Sequence, residues 1–451
     1  MKFTIENLGK IDYAELDLAG LTMICGENNT GKTYVMYAVY GFLRRLPDYL
    51  TRIFEDYFKA QHWPAGQPIE IGLQELFIDR LDEWLARASV MFVQDLPAVF
   101  ACDAQRFEKV VFRAKIAEAP DLAIRMAGLE TVFMTEINVH FRYEPRPFAV
   151  LGLKSFGDPL ATSSEAAKVL AWVLIWHVLQ ITVRLFSSER SGIMQFYREL
   201  DYARSKFISR LQADPQAELS SPIMQARYPQ AVTDEINFVR MAPPIKIQGE
   251  LVKSDPALLQ CFVQIAGGAY QSSAEQGIRY TPQGVRQDMS LAEASSAVRA
   301  LADFDIYLKS FARPGDLLMI DEPELNLHPR NQRRFARLLA RLVNAGVRVM
   351  LSTHSDYLVK EVNTLIMLAQ DTPHARQMRE KFGYAEQELL QPDSVHLYVA
   401  GPGKVKGRRK RINTLTLAPV DPARGIAVSS FDSEIDDLNR IQEEILFGGE
   451  L

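Results

Sequence analysis

Leu21-Thr22-Met23-Ile24-Cys25-Gly26-Glu27-Asn28-Asn29-Thr30-Gly31-Lys32-Thr33 decides how this chain reads. The first five residues are an apolar run of the kind a buried strand needs. The next eight match G-x-x-x-x-G-K-[ST], the loop that cradles nucleotide phosphates. A helix-like stretch, Tyr34 to Leu43, leaves the loop. Gly26 and Gly31 let the backbone wrap a phosphate with its N–H groups. The start of the helix adds partial positive charge at the same place. In this pattern Lys32 reaches the β- and γ-phosphates and Thr33 turns its hydroxyl to Mg²⁺. Glu27, Asn28, Asn29 and Thr30 form the body of the loop.

A second stretch belongs with the first. Arg313-Pro314-Gly315-Asp316 reads as a turn into Leu317-Leu318-Met319-Ile320-Asp321-Glu322, a short apolar strand ending in two carboxylates. Open parallel sheets bind ligands at the carboxyl ends of their strands, where Asp321 then sits. Its expected task is to hold Mg²⁺ through water beside Thr33, with Glu322 orienting or deprotonating an attacking water. Apolar runs ending in Asp-Glu are common. The phosphate loop almost three hundred positions upstream and Pro323-Glu324 just after make this one specific. An amphipathic helix, Pro329 to Val343, and a further strand, Val347 to His354, follow, and strands alternating with helices indicate a parallel sheet. His354, in Ser352-Thr353-His354-Ser355, reads as a γ-phosphate sensor in preference to a strand-end cap. His328 reads as shaping the turn before the Pro329 helix and lining a subunit interface.

Composition sets the frame. A chain of 451 residues exceeds one compact core and implies two or three lobes. A hydrophobic fraction of 47% and a charged fraction of 24% are ordinary for a soluble protein. The net charge of -5 gives no global pull toward nucleic acid or membrane. Cys25, Cys102 and Cys261 lie far apart, without metal spacing, which points to a reducing cytosol. The chain starts with strand-like Lys2-Phe3-Thr4-Ile5 rather than a signal peptide. The most apolar stretch, Val169 to Val183, is short for a membrane span and reads as a buried helix.

Local pattern places the rest. Ile11 to Leu18 alternates as a half-buried strand does, residues 46–120 look mostly helical, and 129–155 favour strands. Ser163 and Ser164 cap a helix to about Leu179, and Ile181 to Phe186 reads as a strand. Met194 to Leu211 reads as helix, 212–285 as connections with short strands and helices, and Leu291 to Lys309 as helix again. Strand-like pieces at Val395–Val399, Thr414–Leu417 and Gly425–Val428 precede a final helix from about Phe431 to Leu446.

The three motifs together resemble the prokaryotic ABC-type ATPases often labelled AAA, relatives of the RecF, SMC and OLD ATPases. The resemblance is carried by Gly26–Thr33, by Ile320-Asp321-Glu322-Pro323-Glu324-Leu325-Asn326-Leu327-His328-Pro329 and by Ser352–Ser355. It covers residues 1–45 and 285–370. It implies an α/β fold, an ABC-type P-loop ATPase head with a mostly parallel core sheet, an antiparallel β subdomain and a helical insertion. The division it implies is 1–45 and 286–370 for the two parts of the head, 46–285 for the inserted lobe and 371–451 for the tail. ATP and Mg²⁺ are the implied cofactors, and two copies sandwich ATP in a homodimer or higher homo-oligomer.

Such heads add a serine-bearing signature in trans, and the usual Leu-Ser-Gly-Gly-Gln string is absent here. The nearest candidate is Ala294-Ser295-Ser296-Ala297. Its hydroxyls can bind phosphate, and they can equally cap the helix. Gln94 is the candidate for the glutamine loop. Ser188-Glu189-Arg190-Ser191-Gly192 is similar to a string in many of these ATPases. It brings Arg190 toward the nucleotide or the interface, or holds it in a structural salt bridge. OLD-type nucleases add a C-terminal TOPRIM domain; here Asp432, Glu434, Asp436 and Asp437 have the spacing of a solvated helix face. The chain therefore resembles the ATPase half of two-component anti-phage systems (Septu PtuA-like, retron-associated, PARIS-type). This implies a cytoplasmic ATP-driven switch over a separate nuclease. The alternatives are a DNA-repair or maintenance ATPase and a P-loop phosphotransferase. Lys404, Lys406, Arg408, Arg409, Lys410 and Arg411 put six positive charges in eight residues. They form a contact to nucleic-acid phosphates or an acidic partner, or a solvated hairpin tip.

Overall fold

A computed structural model describes residues 1–60, 69–117, 120–126, 131–133, 137–142, 148–153, 159–197, 199, 202, 228–241, 249–273, 277–405, 407–408, 410–426 and 440–442. The expected helices over Met194 to Leu211 and Phe431 to Leu446 fall largely outside these residues, as do Asp432, Glu434, Asp436 and Asp437. Two compact units divide the chain. The first is Met1–Asp17, Tyr37–Arg184 and Gly315–Leu317; the second is Leu18–Met36, Leu185–Pro314 and Leu318–Leu451.

In the first unit β1 (Lys2–Leu8) pairs antiparallel with β2 (Ile11–Asp17) and with β5 (Val111–Lys115). Alternation decides which face is inside along the second half of β2: Ala14 and Leu16 are buried and Glu15 between them is exposed. β4 (Ile69–Gly72), β8 (Phe148–Leu153), β7 (Ile137–Arg142) and β6 (Thr131–Phe133) form a second antiparallel sheet in that order. Helix α1 (Lys32–Lys59) runs well past the Leu43 at which its sequence signal fades, with Pro47 inside it. Leu46, Tyr49, Leu50, Ile53 and Phe54 continue its buried stripe, and that packing outweighs the proline. Phe54 meets Trp84 of α2 (Leu81–Phe100) edge to face at 5.8 Å. The first unit also holds the short α3 (Leu122–Met126) and α4 (Pro159–Val173), whose axis continues as a π-helical turn, Leu174–Val178. That apolar stretch is a buried helix as expected, with Leu170, Val173 and Leu174 inside. No helix among the described residues is long and apolar enough to cross a membrane.

The second unit is built on β3 (Leu21–Cys25), all of whose residues are buried, as in a strand covered on both faces. β3 pairs in parallel with β14 (Arg348–Thr353) on one side and β15 (Val395–Gly403) on the other. The strand order is β16 (Ile412–Leu417), β15, β3, β14, β13 (Asp316–Asp321). Cys25 lies opposite Thr353 and Val399, so the strands end together. β9 (Thr182–Phe186) feeds the turn at 187–189. A small antiparallel sheet joins β10 (Gly268–Ser273), β11 (Gly277–Pro282) and β12 (Met289–Ser290), and β17 (Val420–Asp421) pairs with β18 (Gly425–Ile426).

Helices α5 (Gln230–Met241), α6 (Glu250–Ser254) and α7 (Ala257–Ala266) lie in the stretch that reads from sequence as connections with short strands and helices. Next come α8 (Ser296–Ser310), α9 (Pro329–Asn344), α10 (Asp356–Leu368) and α11 (Pro373–Phe382). α9 shows how sequence makes the fold. Its Phe335, Leu338, Leu339 and Leu342 join the core around β3, each burial contributing about 1.5–3 kcal/mol. Its outward arginines find carboxylates: Arg333 to Glu361 at 2.6 Å, Arg337 and Arg341 to the buried Glu388 at 2.6 and 3.0 Å. Losing Glu388 would strand two guanidinium groups at once.

Candidate functional site

The phosphate loop joins β3 to α1 at the carboxyl edge of the sheet. Gly26 has φ 139°, and a Cβ there would stand 2.5 Å from Ala400 O, so only glycine fits. Gly31 has φ 98°. Lys32 Nζ donates to Gly26 O at 3.0 Å and Glu27 O at 2.8 Å, and Thr30 Oγ1 donates to Glu27 O at 2.8 Å. Burial holds the Lys32 ammonium below its usual range, against the opposing charges of Glu322 and Asp321. A phosphate entering the loop would exchange the two carbonyl bonds for charge-assisted ones.

Thr33 Oγ1 donates to Asp321 Oδ1 at 3.3 Å. The Ser352 hydroxyl donates to the same oxygen, while the buried Asp321 Oδ2 has no hydrogen-bond partner. Asp321 is 1% exposed, and burial pushes its carboxyl up to about 6. A buried carboxylate with one orphaned oxygen beside a threonine hydroxyl is a donor set that fits a hard divalent cation. Among the described residues no cluster of three His, Cys, Asp or Glu forms a separate metal site.

Glu322 turns the chain sharply. It is left-handed, with φ 51°, unusual for a glutamate. Its N–H donates to Ser352 O at 3.2 Å and Ser352 Oγ at 3.1 Å. The turn carries the carboxylate out to within 3.4 Å of His354 Nε2, both side chains about one-third exposed. The hydrogen bond from His354 holds the Glu322 carboxyl below its usual range, helped by the charges of His354, Lys32 and Arg190. Glu324 Oε1 accepts from Thr353 Oγ1 at 2.9 Å and from His354 N at 2.6 Å, so a third carboxylate fixes the backbone under the histidine. Burial raises Glu324 above the ordinary glutamate range.

Arg190 follows neither of its sequence readings. It is 3% exposed, and its described bonds go to main-chain carbonyls. Nε donates to Ala300 O at 3.1 Å, one terminal nitrogen to Ser187 O at 2.9 Å and Asp321 O at 2.7 Å, the other to Glu322 O at 2.6 Å. The sequence shows the string around it but not its partners.

Ser295 is the N-cap of α8, its side chain accepting from Val298 N at 3.4 Å; Ser296 opens the helix. Of the two readings of this pair, capping is the one in place for Ser295, and the cap leaves its hydroxyl proton free to donate. His328 caps α9, with Nδ1 accepting from Arg330 N at 3.2 Å. Gln94 is an exposed residue in the middle of α2. The basic run bridges β15 and β16: β15 continues beyond Val399 to Gly403 at the edge that holds the phosphate loop, and Lys404, Arg408, Lys410 and Arg411 are exposed. Lys406 and Arg409 lie outside the described residues.

No curated protein matches the chain. Among solved structures it is similar to an SMC head bound to the C-terminal winged-helix domain of ScpA: 12% identity, 92% of this chain and 97% of that one covered, TM-score 0.34. It is likewise similar to the SMC head domain from Thermotoga maritima, at 12% identity, 93% and 98% coverage and TM-score 0.29. An SMC head with extended coiled coil, bound to a ScpA domain derived from Pyrococcus furiosus, gives 12%, 98% and 98%, and 0.30. The fold is defined by the chain's own strand order and register rather than by these likenesses. Residues 189–360 match the family model described as AAA domain, putative AbiEii toxin, Type IV TA system. Residues 1–116 match the model described as AAA ATPase domain. One match holds the phosphate loop and the other holds Arg190, Asp321, Glu322 and His354, so that over both stretches the chain is similar to P-loop ATPases of the AAA type.

Proposed function

We propose that this chain is a Mg²⁺-dependent ATP hydrolase of ABC type, working as a switch over a separate effector. The observation that carries the reading is the 3.3 Å contact of Thr33 Oγ1 with Asp321 Oδ1, which closes the phosphate loop onto the acid pair. Lys32 and the loop N–H groups bind the phosphates. Thr33 and Asp321 would hold Mg²⁺, which when bound neutralises charge on the β- and γ-phosphate oxygens. Glu322 accepts a proton from a water as that water's oxygen bonds to the γ-phosphorus. The bond from the γ-phosphorus to the β–γ bridging oxygen breaks, and ADP and phosphate leave. The hydrogen bond from His354 favours the ionised base and places the imidazole beside the γ-phosphate. Water attack accounts for this base better than transfer of the phosphoryl group to a second substrate.

In this reading two copies close around ATP, with Ser295 or Ser296 of one copy meeting the nucleotide of the other, and hydrolysis reopens the pair. ATP acts as a switch because it binds the closed pair better than the open one. The effector is a nuclease in bacterial anti-phage defence, the chain acting in the cytoplasm. Glu322→Gln tests the reading: it should slow phosphate release about 10²–10⁴-fold while ATP holds an oligomer on a sizing column. Parent-like turnover would end it. A DNA-maintenance ATPase is the second reading, favoured by the exposed basic hairpin at the sheet edge that carries the loop.

A further inference from the structure

The helix start that follows the turn at 187–189 carries a group that hydrolysis by Glu322 and His354 does not itself use. Arg190 is almost fully buried, and four of its N–H donors grip carbonyls on three separated stretches. Two of these carbonyls belong to Asp321 and Glu322, the residues proposed to hold the cation and activate water. The third stretch is Ala300, on the helix that starts at Ser296. A buried guanidinium is costly unless its charge is compensated. Compensation comes from behind. Asp303 is fully buried on the same helix; burial pushes its carboxyl above the usual range, and the Arg190 charge is among the groups that pull it back. Glu235 of α5 shares this buried site, and burial together with the Asp303 charge pushes its carboxyl well above the ordinary range, which favours a neutral Glu235 beside Asp303. The cavity beside Arg190, lined by Phe186, Asp303, Phe304 and Phe335, has a volume of about 10 Å³, room for about one water. The guanidinium has nowhere else to go.

Geometry gives this grip a purpose. Glu322 sits at φ 51°, a conformation a glutamate holds only when its surroundings impose it. On its N–H side Ser352 supplies the constraint, and on its carbonyl side Arg190 does. Residue Glu322 is therefore clamped on both main-chain sides, at its N–H and at its C=O, and that turn aims its carboxylate. We propose that Arg190 is a positioning residue for hydrolysis: it holds the Asp321–Glu322 backbone in its left-handed turn and ties that turn to α8 through Ala300. Because one rigid, planar guanidinium bonds both, the aim of the base depends on where α8 sits. α8 is the helix whose first turn carries Ser295 and Ser296, so a force on those serines would be felt at Glu322. The inference rests on Glu322 being the base.

The test measures nucleotide affinity, kcat and KM in four full-length proteins: Arg190→Lys, Asp303→Asn, Glu322→Gln and Arg190→Lys/Glu322→Gln. Lysine keeps the charge but cannot bond all four carbonyls. Arg190→Lys should leave affinity for a fluorescent ATP analogue and KM within about threefold of the parent and lower kcat by about 10²-fold, the scale of a misplaced catalytic group. In the Glu322→Gln background the same change should cost less than twofold, because the group it aims is already gone. Additive losses, or a kcat within fivefold of the parent in folded Arg190→Lys, would overturn the inference. If Arg190→Lys does not fold, Asp303→Asn decides: removing the counter-charge should lower kcat at unchanged KM, and unchanged kcat overturns the inference. Parent-like Glu322→Gln, by contrast, is the failure of the base assignment itself.

Discussion

Thr33 Oγ1 and Asp321 Oδ1 are hydrogen-bonded across 288 positions of sequence. The contact brings the first turn of α1 to the end of β13, and through the shared Asp321 oxygen it also engages Ser352 at the end of β14. One helix start and two strand ends thus converge on one carboxylate whose second oxygen has no partner among the described residues.

Asp321 is consequently held at a cost to stability. Asn at this position keeps an acceptor for Thr33 and Ser352 but introduces no buried charge. In the presence of a chelator, Asp321→Asn should melt about 1–2 °C above the parent, as a gain of about 1 kcal/mol does in a chain of this length. The same variant should lose the Mg²⁺ dependence of ATP turnover along with most of the turnover. Equal melting points would mean that the carboxylate is compensated by something other than a cation.

Lys32 bonds only the carbonyls of its own loop, Gly26 O and Glu27 O. An ammonium bond to a phosphate is charge-assisted and contributes about 1.5–3 kcal/mol. Lys32→Ala should therefore weaken ATP binding roughly tenfold to more than a hundredfold in calorimetry, with the melting point close to the parent's. Unchanged affinity would remove the loop from the nucleotide site.

Much of this site is legible in the sequence because it is local. Leu21 to Thr33 carries its own strand, turn glycines and helix start, and Leu317 to Glu322 its own buried strand, so neither needs a partner to be read. What is not legible comes from long-range packing. Arg190 looks like any arginine in a Ser-rich turn until folding sets it against Ala300, Asp321 and Glu322. Glu324 looks like the tail of a motif until it caps Thr353 and His354. α1 outlasts its signal because Tyr49, Ile53 and Phe54 are buried across Pro47, and tertiary packing outweighs local propensity there.

The Glu235–Asp303 pair gives stability a pH signature. Burial, and then the Asp303 charge, raise the Glu235 carboxyl well above the ordinary glutamate range, so the folded chain holds a proton that the unfolded chain releases above about pH 4.5. From there upward the folded state binds more protons, and stability falls with rising pH by up to about 1.4 kcal/mol per unit until the folded group itself titrates. Glu235→Gln has no such proton to lose; its amide can donate to Asp303 and accept from Ser187 N. Its melting point relative to the parent should climb between pH 5 and 8. Parallel curves would show that the pair keeps no proton.

The basic hairpin separates the two functional readings. Replacing Lys404, Lys406, Arg408, Arg409, Lys410 and Arg411 by Gln should leave ATP turnover in the absence of DNA near the parent's. If the chain clamps nucleic acid, the plot of log affinity against log salt should flatten by about 0.9 for each phosphate the hairpin no longer neutralises. DNA binding at an unchanged slope would locate the nucleic-acid site elsewhere, and no binding by the parent would favour the effector-switch reading.

Ser295 and Ser296 stand side by side at the start of α8, yet only the first accepts from the helix, through Val298 N. Removing a cap costs about 1 kcal/mol, so Ser295→Ala should lower the melting point by about 1–2 °C. Ser296→Ala should leave it unchanged. A contact in trans makes a sharper demand. If Ser296 of one copy meets ATP held by Lys32 of another, each single variant, Ser296→Ala or Lys32→Ala, lacks every complete site. Mixing the two lets a mixed dimer form with one intact site, built from the unaltered Lys32 of one copy and the unaltered Ser296 of the other. Phosphate release should therefore reappear on mixing at about a quarter of the parent rate, since half the dimers are mixed and each has one site of two. Mixtures as inactive as their parts would place the signature outside this helix start.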